Sequence, residues 1–255
     1  MRIAGILSSV LLLMLAWTVV AYGQDASLVL ALSFDEGQGE VAGDSSQYGF
    51  DGALVGSQWV NGKFDGAVGF DGVDDLVEVA DAPELRLLDG GTVMAWAYIL
   101  PGGHASWPRL IHKSDTTAGT GPGYEILFDR ANGDAVRSCL GGECQSYVPL
   151  DPETWHHIAM TFDGTTIKTY VNGDPAGENP QLGPIIDSPD LAVIIGNSFN
   201  GERQFEGSID EVRIWSRILS ADDIKSQMNM ATNDVVSSVA PHSKLTATWA
   251  QIKSQ

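Results

Sequence analysis

Gly207-Ser-Ile-Asp-Glu-Val-Arg-Ile-Trp215 runs directly into Ser216-Arg-Ile-Leu-Ser-Ala-Asp-Asp-Ile224. Val212 and Ile214 alternate with Arg213 and Trp215, the period of two expected of a strand. Ser220 then reads as an N-cap, with Asp222 and Asp223 in the first turn of a short helix, where acids complement the positive end of the helix dipole. The stretch therefore predicts a closing strand followed by one short helical turn.

Upstream, every periodic segment reads as a strand. Short apolar runs alternate with turn residues at regular spacing, and 29 Gly and 11 Pro are spread along the chain rather than clustered, the pattern of a sandwich or barrel. The predicted strands are Leu28 to Phe34, Gly52 to Trp59, Ala67 to Phe70, Leu76 to Val79, Thr92 to Leu100, Leu110 to His112, Tyr124 to Phe128, Ala135 to Cys139, Gln145 to Val148, Trp155 to Phe162, Thr166 to Val171, Leu191 to Gly196 and Ile209 to Trp215. Asn132-Gly133, Asp163-Gly164 and Asn172-Gly173 are tight-turn signals. Asp35 to Asp51 reads as a Gly-, Asp- and Ser-rich loop.

The ends read differently. Residues 1–23 carry one cation, Arg2, then an apolar run from Ile6 to Val20 and small residues at Ala21 and Gly23. That is the form of a secretory signal peptide cleaved after Gly23. A membrane anchor is the alternative, but the run is short of the roughly 18–20 apolar residues of a spanning helix, so no membrane insertion is expected after cleavage. Residues 230–255 show little periodicity and read as a linker and tail. The domain is thus expected over residues 24–229. With 33 acidic against 14 basic residues the net charge is −19, which disfavours nucleic acid and anionic membranes and suits cations and neutral partners.

Five segments in order resemble the laminin G-like family of the concanavalin A-like superfamily: Leu32-Ser-Phe-Asp-Glu-Gly-Gln-Gly39; Phe70-Asp-Gly-Val-Asp-Asp-Leu-Val-Glu-Val79; Thr92-Val-Met-Ala-Trp96; Trp155-His-His-Ile-Ala-Met-Thr-Phe-Asp-Gly164 with Tyr170-Val-Asn-Gly173; and Gly207 to Trp215. The resemblance implies an all-β fold, a two-sheet antiparallel jelly-roll sandwich, used for binding or adhesion. It also implies a structural calcium ion near the first and last strands. Asp35, Asp44 and Asp210 match that position in type, since calcium takes hard oxygens from carboxylates and carbonyls. Asp71, Asp74 and Asp75 form the alternative set, and ordinary turn chemistry explains Asp in such loops equally well.

Cys139 and Cys144, the two cysteines, are spaced Cys-Leu-Gly-Gly-Glu-Cys. In a secreted chain this predicts a disulfide, with two free thiols as the alternative. For catalysis on a sandwich of this kind, retaining glycoside hydrolysis needs two carboxylates about 5–5.5 Å apart. The acidic hydrolases of the superfamily carry a Glu-x-Asp-x-x-Glu run, absent here, and simple alternation places Asp210 and Glu211 on opposite faces. Exposed aromatics are candidate sugar platforms: Trp107 with His104 and Tyr124 leads, ahead of Trp59, Tyr147 and Phe199, while Trp96, Trp155 and Trp215 belong to strands and to the core. The expected function is a secreted or cell-surface, non-enzymatic module that binds an extracellular glycan or protein. A glycoside hydrolase or lyase, and a structural component of a surface assembly, are the rivals.

Overall fold

A computed structural model describes residues 25–102, 105–117, 121–141, 143–180 and 185–237, apart from the side chains of residues 143, 145 and 146. The expected signal peptide, the tail beyond 237 and His104 lie outside the described residues. Those described fall within one compact unit, Gln24–Val239.

In chain order the strands are β1 (Leu28–Leu32), β2 (Val41–Ala42), β3 (Gly52–Val55), β4 (Gln58–Asn61), β5 (Gly66–Asp71), β6 (Leu76–Val79), β7 (Gly91–Ile99) and β8 (Arg109–Lys113). There follow β9 (Tyr124–Asp129), β10 (Ala135–Leu140), β11 (Glu143–Ser146), β12 (Trp155–Phe162), β13 (Thr166–Val171), β14 (Asp174–Pro180), β15 (Val193–Ile195) and β16 (Glu206–Trp215). Two short helices close the unit, α1 (Ala221–Gln227) and α2 (Thr232–Ser237). Sheet A runs β14-β13-β12-β7-β16-β5-β4, with β1 also paired to β16, and sheet B runs β11-β10-β9-β8-β15-β6-β3-β2. The described pairings are antiparallel. The two-sheet antiparallel sandwich expected from the sequence is what the chain forms.

Alternation builds the core. Val93, Ala95, Ala97 and Ile99 of β7, Ile158, Met160 and Phe162 of β12, and Ile126 and Phe128 of β9 fill the space between the sheets. Full burial of each large side chain contributes roughly 1.5–3 kcal/mol. The opposite face of sheet A carries Met94, Ala159 and Trp215, which pack under Leu219, Ile224 and Val235 in a second apolar cluster.

Four local expectations need correction. The predicted strand Gly52 to Trp59 breaks at Gly56 (φ +74°), and its halves enter different sheets. β14 escaped notice because Asp-Pro-Ala-Gly-Glu-Asn-Pro is poor strand sequence; it is an edge strand, where proline costs no ladder bond. Third, β16 carries a bulge. Asp210 pairs with Trp96 and Arg213 with Met94, so Glu211 and Val212 together oppose Ala95. Glu211 takes φ +55° in this bulge. Ile209 and Val212 both turn into the core, which leaves Asp210 and Glu211 on the same outer face rather than on opposite ones.

The fourth concerns the C-terminal boundary. Ser220 caps α1 in a capping box with Asp223, and the chain continues past residue 229 as packed structure. Arg213 donates to the carbonyls of Gln227 and Met230 and, at 2.9 Å, to Thr232 Oγ1. Thr232 and Val235 are buried. The domain therefore reaches at least Ser237, because a buried guanidinium needs the carbonyls of this segment to satisfy it.

Candidate binding face

The outward face of sheet B is built in two rows. Register places Arg137 beside Leu127 and Leu127 beside Arg109. The next row is Cys139, Glu125, His112 and Ile194. A bulge between Arg109 and Ile111 turns Leu110 and Ile111 into the core and leaves Arg109 and His112 on the outer face.

These polar side chains bind one another. Glu125 Oε2 lies 2.7 Å from Arg109 Nε and 3.2 Å from His112 Nδ1. Arg109, almost fully buried, also donates to the carbonyls of Trp107 and Thr117 at 2.7 Å each. It thereby fixes the two loop segments that flank the face. Burial pushes its pKa down, Glu125 opposes that, and Arg203 and Arg137 add to it; arginine stays charged nonetheless.

Over this face opens a cavity of about 290 Å³, lined by Trp107, Arg109, Thr117, Leu127, Arg137, Cys144 and Arg203. Trp107 is 38% exposed, and the Arg137 guanidinium lies 4.4 Å from its ring centroid. Phe199, 51% exposed, stacks on His112 at 5.8 Å. Two of the expected platforms thus mark one sheet face.

The other candidates fare differently. Tyr124 is corrected: it points inward, fully buried, and its hydroxyl donates to the Leu85 carbonyl. Its strand position, even in the alternation with Glu125, makes it core, and burial pushes its pKa up. Trp59 lies on the edge strand of sheet A, with Nε1 bonded to Gly39. Tyr147 is half-buried against the core. Cys139 and Cys144 are cross-strand partners joined as a disulfide, Cα atoms 4.4 Å apart, and Arg137 donates to the Cys144 carbonyl. Sequence reasoning missed Arg203, Arg137, Glu125 and His112; only the register unites them.

The acids sort equally plainly. Asp35, Asp44 and Asp210 do not gather. Asp44 accepts from the backbone of Ala31, Ser46 and Phe50 and from the Ser46 hydroxyl, so turn formation occupies it. Asp35 accepts from Gly66. Asp210 accepts from the amides of Lys63 and Phe64, and burial, reinforced by Glu211, pushes its carboxyl up to about 8. Among the described residues the acids that do gather are the alternative set, Asp71, Asp74 and Asp75, with ligand atoms within 4.8 Å of one another. Burial and its two neighbours push the Asp75 carboxyl up. Three converging carboxylates on a turn fit calcium in donor type.

The fold is shared with solved structures. The binding domain of Paraclostridial Mosquitocidal Protein 1 matches with a TM-score of 0.62 at 17% identity, over 80% of this chain and 52% of that one. Domain 4 of AbnA, a GH43 extracellular arabinanase from Geobacillus stearothermophilus solved with arabinotriose, matches with a TM-score of 0.59 at 17% identity, over 79% of this chain and 98% of that one. Among curated proteins, mouse Pappalysin-1 is 28% identical over 133 residues, 48% of this chain and 7% of its own length. The chain spans less than a tenth of the curated relatives it matches. A family profile for the concanavalin A-like lectin/glucanases superfamily matches residues 71–225, more than half of the chain, and with the two-sheet sandwich already described the chain belongs to this laminin G-like family.

Proposed function

We propose that this chain is an extracellular, non-catalytic carbohydrate-binding module, and that it engages its ligand on the outer face of sheet B. One observation carries this reading: an exposed indole, Trp107, stands over a cavity floored by polar side chains held in register. Aromatic platforms with a few fixed polar groups are how concave sites grip small polar ligands. The disulfide supports an oxidising compartment. The adjacent acids Asp210 and Glu211 are sealed from solvent, which supports binding without hydrolysis. The binding domain and the arabinotriose-bound domain among the structural neighbours support the same class.

An oligosaccharide array probed with the full chain, run beside a reducing-sugar assay on the same glycans, tests this. Saturable binding without turnover, lost in Trp107→Ala, is expected. Turnover of any glycan, or binding indifferent to Trp107, overturns it. The proposal also gives the turn Asp71, Asp74 and Asp75 a structural calcium ion. After chelator stripping, added calcium is then expected to raise Tm by mass action, and Asp74→Ala to abolish the rise; an unchanged Tm would make these acids turn-formers alone.

A further inference from the structure

Three guanidinium groups converge on one cavity in a chain of net charge −19. Arg109, Arg137 and Arg203 all line it, and no acidic side chain does among the described residues. The carboxylate paired with Arg109, Glu125, is shared with His112. Among the described lining residues and Glu125, three cations against one carboxylate leave an excess of positive charge around the cavity. Such a concentration of like charge is unfavourable unless a counter-charge arrives.

The three arginines differ in what remains free. Arg109 is committed to its neighbours: its Nε lies 2.7 Å from the Glu125 carboxylate, though without hydrogen-bond alignment, and each terminal nitrogen donates to a carbonyl; it is a positioning residue. Arg137 spends one terminal nitrogen on the Cys144 carbonyl and one face on Trp107, while its Nε is buried without a partner. Arg203 pairs with no carboxylate among the described residues, and its Nε too is buried and unpaired. A guanidinium offers five N–H donors in a fixed fork that matches oxyanion oxygens in pairs. Those Nε atoms are sealed from solvent, so what an arriving oxyanion answers is the charge of the Arg137 and Arg203 guanidinium groups that line the cavity, Arg203 having no carboxylate partner among the described residues.

We propose that the ligand of this face is an acidic saccharide, its carboxylate or sulfate held by Arg203 and Arg137 while its ring lies against Trp107. The proposal rests on the binding reading above and names its ligand class. The cavity, about 290 Å³, sits at the lower edge of small-molecule pockets, roughly 300–1,000 Å³, and so suits a terminal or single acidic residue.

Calorimetric titration of the full chain with four probes tests it: an α-1,4-linked trigalacturonate, the same trimer with its carboxyls reduced, a sulfated disaccharide, and sodium sulfate alone. The trigalacturonate or the sulfated sugar is expected to bind roughly tenfold to a hundredfold more tightly than the reduced trimer, more weakly as salt rises. Whichever binds names the oxyanion. Arg203→Ala should remove the preference and Arg203→Lys, which keeps the charge but loses the fork, should retain part of it, both at unchanged Tm. Equal binding of acidic and reduced trimers, with both lost in Trp107→Ala, overturns the acidic class and leaves the binding face standing. Sulfate alone binding as well as the sugars overturns the saccharide. No binding by any probe, together with an empty array, overturns both readings.

Discussion

The Arg137 guanidinium lies 4.4 Å from the centroid of the Trp107 ring and donates at 3.1 Å to the carbonyl of Cys144. One side chain therefore ties the platform to the disulfide hairpin. Replacing both cysteines by serine should loosen β11 and free Arg137, losing a cation–π contact of roughly 0.5–1 kcal/mol. The expected result is weakened ligand binding and a shifted indole emission, together with about 2 kcal/mol of lost stability. Unchanged emission and affinity in the double variant would separate the hairpin from the site.

Asp210 makes the stability of the fold depend on pH. Burial raises its folded-state pKa to about 8 from the ordinary value of 3.8. Above about pH 4 the folded chain keeps a proton that the unfolded chain releases. This stabilising contribution is complete below the unfolded value and is lost as pH climbs through 8. Asp210→Asn keeps an acceptor for the amides of Lys63 and Phe64 and removes the titration. Urea midpoints measured from pH 5 to pH 9 should fall more steeply for the native chain than for the variant; parallel curves would contradict the assignment.

Truncation after Asn229 removes Thr232 from Glu211 and Arg213 and uncovers the apolar cluster that Val235 completes. A loss of about 3 kcal/mol is expected, roughly 6–12 °C in Tm. Calorimetry on chains ending at 229 and at 237 makes the comparison; equal Tm values would return the boundary to 229.

Gly207 lies at the start of β16. At φ +144°, an added Cβ would sit 2.0 Å from the Tyr98 carbonyl oxygen of the neighbouring strand. Gly207→Ala is expected to cost more than about 2 kcal/mol, whereas alanine at exposed Gly37, with open space around it, should cost less. Equal midpoints for the two variants would show that β16 and β7 shift apart without penalty.

Much of this was legible in the chain. The alternation of Val93, Ala95 and Ala97, and of Ile158, Met160 and Phe162, gave the two-sided strands directly, since one face of each is apolar. Trp107 and Phe199 were legible as exposed aromatics set among loop residues. What alternation hides is the bulge: one extra residue at Glu211 reverses the face of its neighbours without changing the composition. Nor does spacing reveal that Arg109, Leu127 and Arg137, far apart in sequence, form one row. Arg203 carries no local pattern at all, and α2 escaped because Thr232-Asn-Asp-Val-Val-Ser237 lacks a full helical period.

The outer face of sheet B as the binding surface is tested most directly by indole resonances. In a protein labelled with 15N at tryptophan, titration with the acidic trisaccharide should shift the Trp107 Nε1–H signal along a saturable curve. Trp96, whose Nε1 donates to Met228, and Trp59, on sheet A, should stay fixed. Saturable binding that moves Trp59 and leaves Trp107 in place would contradict the account.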